Sequence, residues 1–143
     1  MTTANNVNFY LKDVAEEADI DQLACVITNK AWLNGYKVYF LVSSSELSQR
    51  YDDLLWSFRQ ESFIPHAQYS DDSTAPVVIG TDPMTCPPHC SAIISRWNKP
   101  LPAEFHHLRI IDIIGPSEEE REQARDRYRF YKRAGIEPVM HKL

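Results

Sequence analysis

The first sixty positions alternate between short apolar runs and longer stretches of helical spacing. Val7 to Leu11 (VNFYL) is a run of strand-forming residues that closes on the turn signal Lys12-Asp13. Asp19 then offers an N-cap, and Gln22, three residues on, completes a capping-box pattern. Ile20, Leu23, Ala24, Ile27 and Ala31 follow at helical spacing, and Gly35 stands where a left-handed C-cap is needed. Directly after it, YKVYFLV (36–42) is apolar almost throughout, which predicts a strand buried on both faces. A second helix fits Ser45 to Phe58, with Leu47, Tyr51, Leu54, Leu55 and Phe58 on one face. Trp56 falls off that face, toward solvent. Strand, helix, strand, helix in this order predicts a parallel α/β sheet with right-handed crossovers.

The second half carries shorter signals. ESFIPHA (61–67) reads as an apolar kink centred on Pro65, followed by the polar loop YSDDSTAP. Val77 to Ile79 and Ala92 to Ile94 read as further strands. Five of the nine prolines fall between Pro83 and Pro102, which predicts a loop-rich stretch at a sheet edge. Arg109 to Ile114 (RIIDII) is another buried strand, ending at Gly115-Pro116. The last helix is the best signed: Ser117 and Glu120 form the S-x-x-E box, and Gly135 closes the other end. Its first turn is acidic (Glu118, Glu119, Glu120) and its last basic (Lys132, Arg133), which complements the helix dipole. Ile136 to Met140 fits a final strand. With no internal repeat and no linker, residues 1–143 read as one domain.

Composition removes several functions. The four glycines stand at 35, 80, 115 and 135, so neither a G-x-G-x-x-G turn nor a phosphate-binding P-loop can be written. A net charge of -5 argues against a generic nucleic-acid binder, which needs a basic footprint to displace counterions. Three cysteines are too few, and odd in number, for a disulfide framework. The longest apolar run, Val38 to Val42, is far short of a membrane span, and MTTANNVN lacks the features of a secretory signal. A soluble cytoplasmic protein is expected.

Three features carry candidate chemistry. On the last helix, at ~100° per residue, Arg121, Arg125, Tyr128 and Lys132 share a stripe about 60° wide, with Arg129 beside it. That helix holds six basic against five acidic residues in an otherwise acidic chain. Cationic heads along one ridge repel unless an anion lies across them; a solvated face with i,i+4 pairs is the plainer account. Trp56, Phe58 and Phe63-Ile64 bracket the Pro65 kink, and a ring directed toward solvent suggests a protein-protein hot spot, unless the next loop covers it. Cys86-Pro-Pro-His89-Cys90 has zinc-ligand chemistry but neither C-x₂-C spacing nor an evident fourth ligand, although His106 or His107 would serve. Cys25 lies on the buried side of the first helix, as a core thiol. Asp13 follows a strand, where α/β enzymes often place a carboxylate, yet a turn role suits it better. No nucleophile elbow, zincin motif or activated cysteine is present.

Together, NFYL (8–11), A-W-L-N-G-Y-K-V (31–38), D-D-L-L-W-S-F (52–58), S-F-I-P-H (62–66) and A-R-D-R-Y-R-F-Y-K-R-A-G (124–135) resemble the chi subunit family of bacterial DNA polymerase III. The order and spacing match from about Asn8 to Gly135, and the Cys86–Cys90 loop lies outside the match. The resemblance implies a three-layer α/β domain with a mainly parallel sheet, Rossmann-like but without a nucleotide site, no cofactor and no catalytic centre. It implies an adaptor, joined to the clamp-loader complex through a psi subunit as a heterodimer. It also implies a grip on the acidic C-terminal tail of single-stranded DNA-binding protein, which ends in a phenylalanine with a free carboxylate. Carried over by position, the tail-binding residues fall on Arg121, Arg125, Tyr128 and Lys132, with Arg129 adjacent. The psi-binding side falls on Trp56, Phe63 and Ile64; a helicase is another candidate for that surface. Little direct nucleic-acid binding is expected. Two other classes stay open: a single-stranded DNA binder that stacks bases on Tyr128 and Phe130, and a thiol or zinc enzyme built on the Cys86–Cys90 loop.

Overall fold

The computed structural model describes residues 6–13, 16–58 and 63–143. Among them, seven strands and three α-helices follow in the order β1 (Val7–Leu11), α1 (Glu17–Leu33), β2 (Val38–Val42), α2 (Ser45–Ser57), β3 (His66–Gln68), β4 (Val77–Gly80), β5 (Ala92–Arg96), β6 (Arg109–Ile113), α3 (Glu118–Arg133) and β7 (Val139–Lys142). All strand pairs are parallel, in one sheet of order β3-β4-β2-β5-β6-β1-β7.

Alternation along each strand splits the core in two. Val38, Phe40 and Val42 of β2 pack with Ile20, Ala24, Tyr51 and Leu55 under α1 and α2. Tyr39 and Leu41 of the same strand face the other way, into the cluster closed by Ala124 and Tyr131 of α3. The result is the three-layer architecture expected from the chain. Cys25 is a core thiol.

Four local expectations are corrected. Glu16, rather than Asp19, caps α1; Asp19 is the N3 partner whose carboxylate accepts from the Glu16 amide at 2.9 Å. The proline-rich stretch contains the middle strand of the sheet, not an edge. Its five prolines all lie in the connections flanking Ala92–Arg96, so β5 keeps every N–H and pairs with both β2 and β6. The segment after Pro65 adds the short edge strand β3, which carries too few apolar residues to be read as one. The last strand runs Val139–Lys142, because Pro138 has no N–H to give the ladder; pairing with β1 starts just after it.

Two polar ties lock the layers. Arg127 of α3, 4% exposed, makes a bidentate pair with Asp112 of β6 at 2.7 and 2.9 Å. At the carboxyl ends of the central strands, Arg96 reaches Glu17 of α1 (3.0 Å), the Tyr51 hydroxyl of α2 (3.3 Å) and Glu120 of α3 (3.1 Å).

Candidate functional site

Ser117 caps α3 by accepting from the Glu120 amide, and Ala124, Arg127 and Tyr131 form its buried face. That burial turns the neighbouring stripe toward the β1–β7 edge. A groove of about 500 Å³ opens there. Its floor is apolar, from Leu11, Ile114, Ala124 and Met140; Arg121, Arg125, Arg129 and Lys142 rim it with positive charge. Tyr128 forms a wall, its ring 5.6 Å from that of Phe9.

The cations are held loosely. Arg121 lies 3.9 Å from Asp13 and Arg125 3.7 Å from Glu118, with both carboxylates largely in solvent. Exposed pairs of this kind contribute about 0–1 kcal/mol, so an incoming carboxylate displaces them at little cost. The Arg121 Nε is buried and has no acceptor among the described residues. Arg129 and Lys132 are better satisfied, by Asp126 and Glu137, both at 2.9 Å. Lys132 does not line the groove; its ammonium is held at Glu137, which raises its pKa through a hydrogen bond and then through charge. Lys142 and Met140 do line it, and sequence reading missed both. They sit two apart on β7, hence on one face, a relation hidden while the strand was taken to start three residues earlier and to end at Met140.

The aromatic surface lies at the opposite edge of the sheet. Trp56 is 55% and Phe63 67% exposed, their ring centroids 5.7 Å apart. Ile64, expected beside them, is 1% exposed and belongs to the core under α1 and α2. It anchors the backbone that presents Phe63. His66 supports the patch from below, its ring 4.6 Å from Trp56. Its two nitrogens face the Ile64 and Asp52 carbonyls at 2.6 and 3.0 Å.

The remaining candidates fall apart spatially. Tyr128 lines the groove, while Phe130 sits edge-on against His106 and Tyr131 on another flank, so the two rings offer no common stacking platform. His89 and His106 each direct Nε2 at a backbone carbonyl, of Ala75 and Leu101, both at 2.8 Å. Among the described residues no group of three His, Cys, Asp or Glu side chains converges as metal ligands do. The crevice at the strand carboxyl ends presents Glu17, Glu119 and Glu120, with Arg96 bound to two of them. Carboxylates there repel a phosphate. No helix among the described residues is long and apolar enough to cross a membrane.

A doubly wound, three-layer α/β fold with a basic groove at one sheet edge is the class in hand. Residues 4–139 match the family described as DNA polymerase III chi subunit, HolC, and the chain belongs to that family. DNA polymerase III subunit chi of Pseudomonas aeruginosa is 32% identical over 139 residues, spanning 96% of each chain. The Escherichia coli K12 protein of the same name is 27% identical over 137 residues, spanning 92% of this chain and 93% of that one. Membership gives the chain a role in DNA replication, as an accessory subunit of the polymerase. Among solved structures, a chain in the S. cerevisiae complex of Dbp5 with Gle1 and IP6 superposes with a TM-score of 0.61 at 15% identity. All of this chain but only 43% of that one is covered, and the likeness is one of fold.

Proposed function

We propose that residues 1–143 act as one chi-like, non-catalytic adaptor domain of the cytoplasm, working without a cofactor. The α3 groove takes the acidic C-terminal tail of single-stranded DNA-binding protein. The Trp56–Phe63 surface takes psi, and through it the clamp-loader complex. One observation carries this reading: an apolar floor of Leu11, Ile114 and Met140 lies beneath loosely paired Arg121 and Arg125 and beneath Lys142, which has no carboxylate within ion-pair distance among the described residues. A tail ending in a phenylalanine carboxylate needs both halves, an apolar notch for the ring and charge-assisted donors for the acid.

The test is a calorimetric titration of the full chain with a short acidic peptide ending in phenylalanine, beside its C-terminally amidated twin. The free acid should bind and the amide should lose about tenfold or more, the worth of one charge-assisted hydrogen bond of roughly 1.5–3 kcal/mol. Equal binding of the two peptides sinks the reading. The alternative of a single-stranded DNA module is disfavoured by the separation of Tyr128 from Phe130.

A further inference from the structure

On the face of the sheet opposite α3, α1 packs against Ile111 and Ile113 of β6, and its far flank is left open beside Tyr10 of β1 and Leu143. Two hollows of about 670 and 330 Å³ lie there. They share Leu23, Val26 and Leu143 and so form one trough, walled by α1 and floored by Tyr10 and Ile111. It follows α1 from Asp19 to Asn34, roughly 22 Å at the helical rise. Lys30 and Arg109 stand at one end and Lys12 at the other. Among the described residues none of these three cations has a carboxylate within ion-pair distance, whereas Arg50 and every arginine of α3 except Arg133 has one. Among the described side chains, Asp19 brings the one carboxylate to the trough, and it accepts from the Glu16 amide.

We infer that this trough docks an acidic amphipathic helix of a partner protein, about four turns long, with its apolar stripe on Tyr10, Leu23 and Val26. Parallel sheets are covered by helices on both faces, and an added helix completes the layer here. An extended segment lying on this sheet face would leave its backbone N–H and C=O groups facing apolar side chains, whereas a helix satisfies its own. In a chain of net charge -5, three cations with no carboxylate partner among the described residues, Arg109 resting over the Tyr36 ring, surround one apolar trough and select a negatively charged occupant. The site is on the other side of the sheet from the α3 groove and is remote from Trp56.

The probe is a synthetic 16-residue peptide of Leu, Ala and Glu with leucines at i, i+3, i+4 spacing, together with a counterpart carrying Lys for every Glu. Titrated into the full chain and followed by amide NMR, the acidic peptide should bind saturably and shift Tyr10, Leu23 and Val26. The double variant Lys30→Glu/Arg109→Glu, both exposed sites, should weaken it at least tenfold while leaving the tail peptide at α3 untouched. Four results overturn the inference: no saturable binding, equal binding of the basic peptide, equal binding by the double variant, or shifts confined to α3. So do self-association in sedimentation that the double variant abolishes, which would make a second copy the occupant, and oligothymidylate binding lost in the same variant.

Discussion

Arg125 and Arg127 stand two residues apart on α3 and have opposite fates. The first keeps its guanidinium half in solvent, with Glu118 at 3.7 Å; the second is buried against Asp112. In the sequence both belong to one charge-rich helix, and nothing local marks Arg127 as internal. What buries it is the packing of α3 over β6, a tertiary fact. Burial pushes the Asp112 carboxyl upward, and the adjacent guanidinium opposes that; we take the pair as ionised, given its two short hydrogen bonds. Asp112→Asn should therefore cost about 3–5 kcal/mol in urea unfolding, since it strands a buried cation. Asp112→Leu with Arg127→Met should recover most of that loss. The cysteines give a second test. Burial, and then the charge of Asp21, pushes the Cys25 thiol up to about 12. A hydrogen bond from Cys90 draws half-buried Cys86 downward. Alkylation of the native protein at pH 8, mapped by mass spectrometry, should label Cys86 first and spare Cys25. For Cys25 the folded pKa exceeds the ordinary value of 9.0. Its contribution to stability is thus complete below pH 9.0 and lost as pH rises toward 12. Cys25→Ala should show a shallower alkaline decline than the wild type in guanidinium unfolding.

At the scale of elements, helices and central strands were legible because their periods differ and their ends are signed. Ser117, Glu120 and Gly135 delimit α3 as read, and Gly135 adopts φ of 85°, a conformation costly to any side chain. Ser117→Ala should lower thermal stability by about 1 kcal/mol through loss of the cap. Gly135→Ala should cost roughly 1–2 kcal/mol. The misread elements are β3 and β7, three and four residues long and at the two sheet edges. Edge strands lack the two-sided burial that produces a continuous apolar run, so hydropathy does not announce them. Ending β7 at Met140 left Lys142 out of the strand, and with it the shared face that brings Met140 and Lys142 to the groove. Strand order was illegible for a different reason. Parallel crossovers of similar length lead to several neighbours, and prolines in the loops around β5 resemble those of an edge.

The whole molecule separates the proposed tail groove from the proposed psi surface by the width of the sheet. Trp56 and Phe63 flank β3, the groove flanks β7, and six strand spacings lie between. At about 4.8 Å per spacing the two are roughly 30 Å apart, well beyond the screening length at physiological salt. Substitutions at one surface should then act independently of the other. Trp56→Ala and Phe63→Ala should each weaken binding to a psi subunit by about 2 kcal/mol or more and leave tail-peptide affinity unchanged. Their exposure means the fold should survive, which circular dichroism melts would verify. Arg125→Ala and Lys142→Ala should each reduce tail affinity about tenfold to a hundredfold and leave psi binding intact. The amidated tail should lose little further affinity in whichever variant already lacks the carboxylate's partner, a non-additivity that identifies that partner. Rising salt should weaken the tail with the shallow slope of a few ion pairs, while bare single-stranded DNA binds poorly. A ternary mixture should show both partners bound at once, with each affinity the same as when measured alone. If tail peptide and psi instead exclude one another, or if Arg125→Ala weakens psi as much as the tail, the two surfaces are one, and a bridge across the sheet is the wrong picture.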